Sequence, residues 1–240
     1  MTTVTEQATV DRPEWLILED GPLLAVNKPY GLPTEGIETR FPTMVGQVKS
    51  FLRAKYHKSG NVYLGIPHRL DRASTGVLVM TRNSKTAARV AEQFENRSVR
   101  KTYWALLQNA PDADDGELID WLLKVSDEAR TQVVPEGTAD GKEARLRYRV
   151  LRTTNRGTLV EIELMTGRMH QIRVQFASRG CPVVGDTKYG AASGPWIASG
   201  EPAEDDVRIA LHSRSLTMKH PIRYDDLKIE APVPEFWGID

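Results

Sequence analysis

A single cysteine, Cys181, stands in the 240-residue chain, so no intrachain disulfide is available and a reducing, cytoplasmic setting is expected. No apolar run approaches the roughly 18 residues that a membrane span needs. The opening Met1-Thr-Thr-Val-Thr-Glu-Gln lacks the basic-then-apolar form of a signal peptide, and no membrane partner is expected. Histidines are few, five in all, with neither HxH nor HExxH spacing, which argues against a metal centre. Net charge is missing too: 32 Lys and Arg face 32 Asp and Glu, which speaks against a generic nucleic-acid binder. The charge is unevenly spread, however. Acids gather at Asp112–Asp120 and Glu201–Asp206, bases at Arg97–Lys101 and Arg168–Arg179. A neutral sum can hide a basic cleft with an acidic back.

The chain is long enough for one large domain, expected over 13–240 after a flexible tail at 1–12. Trp15-Leu-Ile-Leu and Leu23-Leu-Ala-Val read as short strands about the turn Glu19-Asp-Gly-Pro. Thr43 can cap a helix with Met44, Val48, Phe51 and Leu52 on one face, and Ser84 another with Ala87, Val90, Ala91 and Phe94. Val99–Gln108, Glu143–Arg152, Thr158–Met165, Ile209–Met218 and Leu227–Ala231 read as strands. Thr166–Arg179 reads as a helix stopped by Gly180, and 191–206 as a loop. Strands dominate without βα alternation, which predicts an α+β fold with a mixed, largely antiparallel sheet.

Arg145, Arg147 and Arg149 alternate with Leu146, Tyr148 and Val150, so one face of a strand carries three guanidiniums. That resembles a nucleic-acid stripe. A hairpin turning near Asn155, however, sets Arg149 beside Glu161 and Arg147 beside Glu163, and cross-strand ion pairs are the simpler account.

The stretch HRLDRASTGVLVM at 68–80 puts His68, Arg69 and Asp71 just ahead of the apolar Val77–Met80. Such polar clusters are costly unless satisfied or used. Three readings compete. His68 and Asp71 could hold a metal. Asp71 could pair with Arg69 or Arg72 at a turn, which is the favoured reading of the stretch alone. Or Asp71 is a nucleophile at the mouth of a strand, kept ionised by arginines.

Six blocks in order resemble the RluA family of pseudouridine synthases. His68-Arg-Leu-Asp-Arg-Ala-Ser-Thr-Gly is similar to its HRLD-x-x-T-S-G signature, with Ser74-Thr75 in reversed order. Ala25-Val-Asn-Lys-Pro-Tyr-Gly-Leu, Arg100-Lys-Thr-Tyr-Trp-Ala-Leu and Thr166-Gly-Arg-Met-His-Gln-Ile-Arg are three further blocks. The last two are Gly180-Cys-Pro-Val-Val-Gly-Asp-Thr-Lys-Tyr-Gly and Leu211-His-Ser-Arg-Ser-Leu.

The resemblance implies a pseudouridine synthase fold: α+β, with flanking helices and a central cleft. A single catalytic domain over 13–240 and a monomer are expected, without the S4-like RNA-binding module that many relatives carry. The implied activity is isomerisation of uridines in structured ribosomal or transfer RNA, on a flipped-out nucleotide. A catalytically silent RNA-binding relative on the same fold is the alternative. Asp71 is implied as the nucleophile, Arg173 as its ionic partner, and Tyr103 as the residue that stacks on uracil and helps move its C5 proton. Arg69 is implied to fill the gap left by the base. His68, Lys28, Arg168 and His170 are expected as substrate contacts. No metal or cofactor is required, because the substrate is merely isomerised. Arg97, Arg100 and Arg179 are expected on RNA phosphates, from the basic clusters that hold them.

Overall fold

Apolar runs without alternation mark strands covered on both sides, and two such strands carry this fold. The computed structural model describes residues 11–36, 42–125, 128–195 and 208–239. Its first half runs β1 (Leu16–Asp20), β2 (Leu23–Lys28), α1 (Met44–Lys55), β3 (Thr75–Thr81), α2 (Ser84–Glu95) and β4 (Arg100–Leu107). The second runs β5 (Asp115–Val125), β6 (Arg130–Val134), β7 (Lys142–Thr154), β8 (Gly157–Leu164), α3 (Gln171–Ala177), β9 (Leu211–Lys219) and β10 (Asp226–Glu230). The strands form one sheet in the order β1-β2-β3-β9-β4-β8-β7-β5-β6, with β10 also on β9. Every described pairing is antiparallel except β3 with β9, as the expected mixed, largely antiparallel sheet requires.

In β2 and β3, Leu24, Val26, Leu78 and Met80 face a core closed by Met44, Val48, Phe51 and Leu52 of α1. Their alternates Leu23, Ala25, Val77 and Val79 face a second core with Val90 of α2. Both helices begin on a side-chain cap: Thr43 accepts the Gly46 N–H at 3.0 Å, and Asn83, one residue before the expected Ser84, accepts that of Thr86 at 2.8 Å.

Three expectations need correction. Helix α3 is seven residues long, not the fourteen of Thr166–Arg179. The Gln171 side-chain oxygen takes the Thr166 hydroxyl at 2.7 Å and the Arg168 N–H at 3.1 Å, which holds 166–168 in a tight loop. His170 then sits at φ +53 and blocks helix on its N-terminal side. Strands β5 and β6 had no sequence signal, since in the acidic stretch of β5 Leu118 and Leu122 alone are buried. Finally, the β7–β8 hairpin has the expected register, Arg149 opposite Glu161 and Arg147 opposite Glu163. Arg149 bonds Glu161 at 3.0 Å, but Glu163 is taken by Arg100 at 3.1 Å, and Arg147 turns to Glu117 of β5 at 3.8 Å.

Of the expected tail at 1–12 and loop at 191–206, residues 1–10 and 196–206 lie outside the described residues. Among the described residues, no helix is long and apolar enough to cross a membrane.

Candidate active site

Where β3 meets β9 the sheet opens into a cleft of about 820 Å³, bordered by the loop before β3, by β4 and by the turn into α3. The loop before β3 is fastened from several sides. Thr34 gives its hydroxyl to the Leu70 carbonyl at 2.9 Å and accepts the Leu70 N–H at 3.1 Å. Arg72 reaches the Gly31 carbonyl at 3.0 Å. His68 borders the cleft but is engaged inward. Its Nε2 accepts the Val79 N–H at 2.9 Å, and its ring stacks on Phe94. Burial, with the Lys101 charge behind it, pushes His68 down to about 3, so the ring stays neutral as an acceptor must.

Lys28, expected at the site wall, lies under that loop, wholly buried. Its ammonium donates to the carbonyls of Pro29 at 2.7 Å, Leu32 at 2.8 Å and Arg72 at 3.4 Å. Burial pushes it down to about 7, against the pull of Asp71. Its ammonium therefore pins the residue after Asp71, and Lys28 does not line the cleft.

Asp71 stands at the cleft floor, its side chain 31% exposed. Arg173 Nη1 meets its Oδ2 at 3.3 Å, and His170 Nε2 lies 3.6 Å from the same oxygen. The sequence alone favours an exposed helix arginine at 173, yet the residue is 6% exposed. A second carboxylate makes that burial tolerable. Asp186, itself buried, holds Arg173 bidentately, Oδ2 to Nε at 2.6 Å and Oδ1 to Nη2 at 2.8 Å. The Tyr189 ring packs on the guanidinium at 5.1 Å. Burial alone would lower the Arg173 pKa, but Asp186 and then Asp71 outweigh it, so the group is held above its ordinary value. Asp186 and Tyr189 belong to the Gly185-Asp-Thr-Lys-Tyr-Gly block, which signalled them without showing that they brace Arg173.

Tyr103 lines the same cleft from β4, 8% exposed. Burial pushes its phenol up to about 12, with the Asp71 charge adding. It is therefore uncharged near neutral pH.

The other expected residues divide. Arg69 is at the rim, 72% exposed and bonded to Glu35 at 3.0 Å. Arg168 lines the cleft with Nε on the Glu143 carbonyl at 2.9 Å. His170 is in the cleft wall, its pKa held low by burial first and by Arg173 and Lys188, against Asp71. Arg97 and Lys101 border the cleft side by side. Burial and then the Arg97 charge push Lys101 down to about 8. Two neighbouring cations suit an anion. Arg100 makes an exposed ion pair with Glu163 at 3.1 Å, and Arg179, bidentate on Asp120 at 2.9 and 3.1 Å, does not line the cleft. Among the described residues, no group of three His, Cys, Asp or Glu side chains could hold a metal.

Comparison with known proteins agrees in one direction. Residues 22–178 match the family model for RNA pseudouridylate synthase. Ribosomal large subunit pseudouridine synthase C of Rickettsia bellii is 30% identical over 230 residues, 94% of this chain and 70% of that one. The mitochondrial pseudouridylate synthase RPUSD4 of Xenopus tropicalis is 35% identical over 196 residues, 72% of this chain and 59% of that one. Among solved structures, human RNA pseudouridylate synthase domain containing 4 superposes with a TM-score of 0.75 at 26% identity, over 93% of this chain and 90% of that one.

Proposed function

The chain belongs to the RNA pseudouridylate synthase family, enzymes that isomerise uridine in RNA, and on that premise we propose that Asp71 is the group that acts on the sugar. The reaction breaks N1–C1′, turns the base, and joins C5 to C1′. The proton on C5 is lost and N1 gains one, so nothing is added or removed overall. A carboxylate facing C1′ is also how glycosidases open such a bond. Attack at C1′ and removal of the C2′ proton make the same demand on Asp71: an ionised oxygen toward the sugar. The observation that carries the proposal is the buried Arg173, locked by Asp186 and turned on Asp71 at the floor of the cleft. A cation fixed there balances the carboxylate and holds its orientation in a partly dry site.

Around it, Tyr103 stacks on the uracil. Arg69 enters the gap left when the target leaves its stack, since a stacked base is out of reach. Its exposed bond to Glu35 is a cheap one to exchange. Arg97, Lys101 and Arg168 hold the flanking phosphates, and His68 and Lys28 shape the loop that carries Asp71. The RNA is ribosomal in this reading, in keeping with relatives named for the large ribosomal subunit, and the work belongs where that subunit is assembled. The balanced isomerisation needs neither metal nor redox cofactor.

The test is Asp71→Asn, which keeps the shape and removes the charge. It should fold, bind RNA and form no pseudouridine. Tritium release from C5-labelled uridine at more than a few per cent of wild type would overturn the assignment.

A further inference from the structure

Behind Asp71 runs a line of hydrogen bonds that begins at the far edge of the sheet. The N–H of Thr131, on edge strand β6, is donated to the Tyr189 hydroxyl at 2.9 Å. That hydroxyl also lies 2.9 Å from His170 Nδ1. An oxygen that already accepts one bond has a single proton to give. His170 Nδ1 is the acceptor within its reach among the described residues. With Tyr189 donating to Nδ1, the neutral ring carries its own proton on Nε2. Nε2 is the atom that faces Asp71 Oδ2, at 3.6 Å.

The backbone here is unusual as well. His170 stands at φ +53, a conformation that non-glycine residues seldom adopt. Its ring is also set edge-on to that of Tyr189 at 5.6 Å. Strain of this kind persists where the surroundings fix it, and here they fix the ring between Tyr189 and Asp71. Arg173 Nη1 meets the same carboxylate oxygen, so the described side-chain contacts of Asp71 both fall on Oδ2.

We propose that His170 and Tyr189 are positioning residues that hold a proton on His170 Nε2, cap Oδ2 of Asp71, and leave Oδ1 as the oxygen that meets the sugar. This rests on the reading of Asp71 as the reacting group. At 3.6 Å the contact is longer than a hydrogen bond, and it closes when the substrate fills the cleft, as contacts of free enzymes do. The device selects one carboxylate oxygen, so its effect is on turnover and not on RNA affinity.

The experiment compares His170→Gln, His170→Leu and Tyr189→Phe in steady-state and single-turnover assays on a uridine-containing RNA substrate. Glutamine keeps an N–H donor close to the Nε2 position, and leucine fills space without one. Both bear the same backbone strain, so equal thermal unfolding is expected of them. The leucine variant should lose about tenfold or more in kcat at unchanged KM, the cost of one hydrogen bond to a charged group. The glutamine variant should stay within about threefold of wild type, the donor being retained. Tyr189→Phe should fall between them, because the ring is then free to take the other tautomer. Equal kcat for the leucine and glutamine variants, or losses confined to KM, would overturn the proposal. Should the leucine variant fail to fold, an unchanged kcat in Tyr189→Phe would do the same. Asp71→Asn in the same assay separates the two levels. If it is inactive while His170→Leu is not, the relay alone fails; if it turns over, the reading of the site fails with it.

Discussion

Arg173 on the cleft floor and Arg69 on its rim carry the same charge and are held by opposite means. Arg173 is 6% exposed and meets two carboxylates, one of them bidentate. The Arg69 side chain is 72% exposed and meets one, which is itself 43% exposed. Charges taken out of water must be paired when the chain folds, so the floor is fixed before any RNA arrives. Exposed pairs are worth little, so the rim can trade its partners for phosphates at small cost. On the proposed reading the site separates orientation from capture: buried charges set geometry, and exposed ones gather the substrate.

The sharpest way to break this contrast is to remove a floor partner. Asp186→Asn should destabilise the protein by about 3–5 kcal/mol, because it leaves a buried guanidinium short of a carboxylate. Urea unfolding measures this, and a change within error would mean that the Asp186 pairing contributes nothing. A rim charge should behave otherwise. Arg97→Ala should leave unfolding unchanged while flattening the log–log dependence of RNA affinity on salt by about 0.7–0.9, one phosphate contact. An unaltered slope would remove Arg97 from the RNA path.

Lys101 lies between the two classes and should reveal itself through pH. Its folded pKa is depressed to about 8, so above that pH the free protein lacks the proton that an ammonium–phosphate contact needs. Binding must then take up a proton, and affinity should fall as pH rises through about 8. Lys101→Arg should flatten that fall in a binding titration, since arginine stays charged. The smallest effect belongs to Arg147→Ala/Arg149→Ala, whose charges lie on Glu117 and Glu161 of the sheet. Their salt slope should match wild type. A flattened slope for this pair, with Arg97→Ala unchanged, would move the RNA to the opposite face.

What could be read from the sequence follows from how local each signal is. The β7–β8 register was legible because alternation and one turn determine it. The burial of β2 and β3 was legible because an apolar run on both faces has no other use. Helix α3 was overextended because Thr166–Arg179 contains no proline to end it early, and its real limit is a side-chain bond from Gln171 to residues before it. Strands β5 and β6 hid because their exposed faces carry the charges and few side chains are buried. At the site, Asp71, Tyr103 and Arg173 were named through resemblance, and the structure brings all three to one cleft. Asp186 as the brace of Arg173 is thirteen residues away in sequence. The roles of Lys28 and His68 depend on loop carbonyls and a strand amide. No composition or period encodes such contacts.

Strands β3 and β9 share two residue pairs, Thr75 with His212 and Gly76 with Ser213, whereas β2–β3 and β4–β9 each share six. Gly76 stands at φ +108, and a Cβ there would overlap the Ser213 carbonyl. Beside it the Thr75 hydroxyl is joined to His212 Nδ1 at 2.8 Å. Asp71 leads into one side of this short seam, and Arg173 and His170 belong to the other. The backbone pairing of the sheet is thus thinnest here, with Asp71 approaching from the β3 side and its cation Arg173 from the other, while a shared apolar core and the Arg223–Asp20 ion pair also join the two sides. The close approach of Gly76 to Ser213 is one of the contacts that space them. A side chain added at residue 76 must push the Ser213 backbone away, and so acts on the spacing of Asp71 and Arg173 from a residue that does not line the cleft.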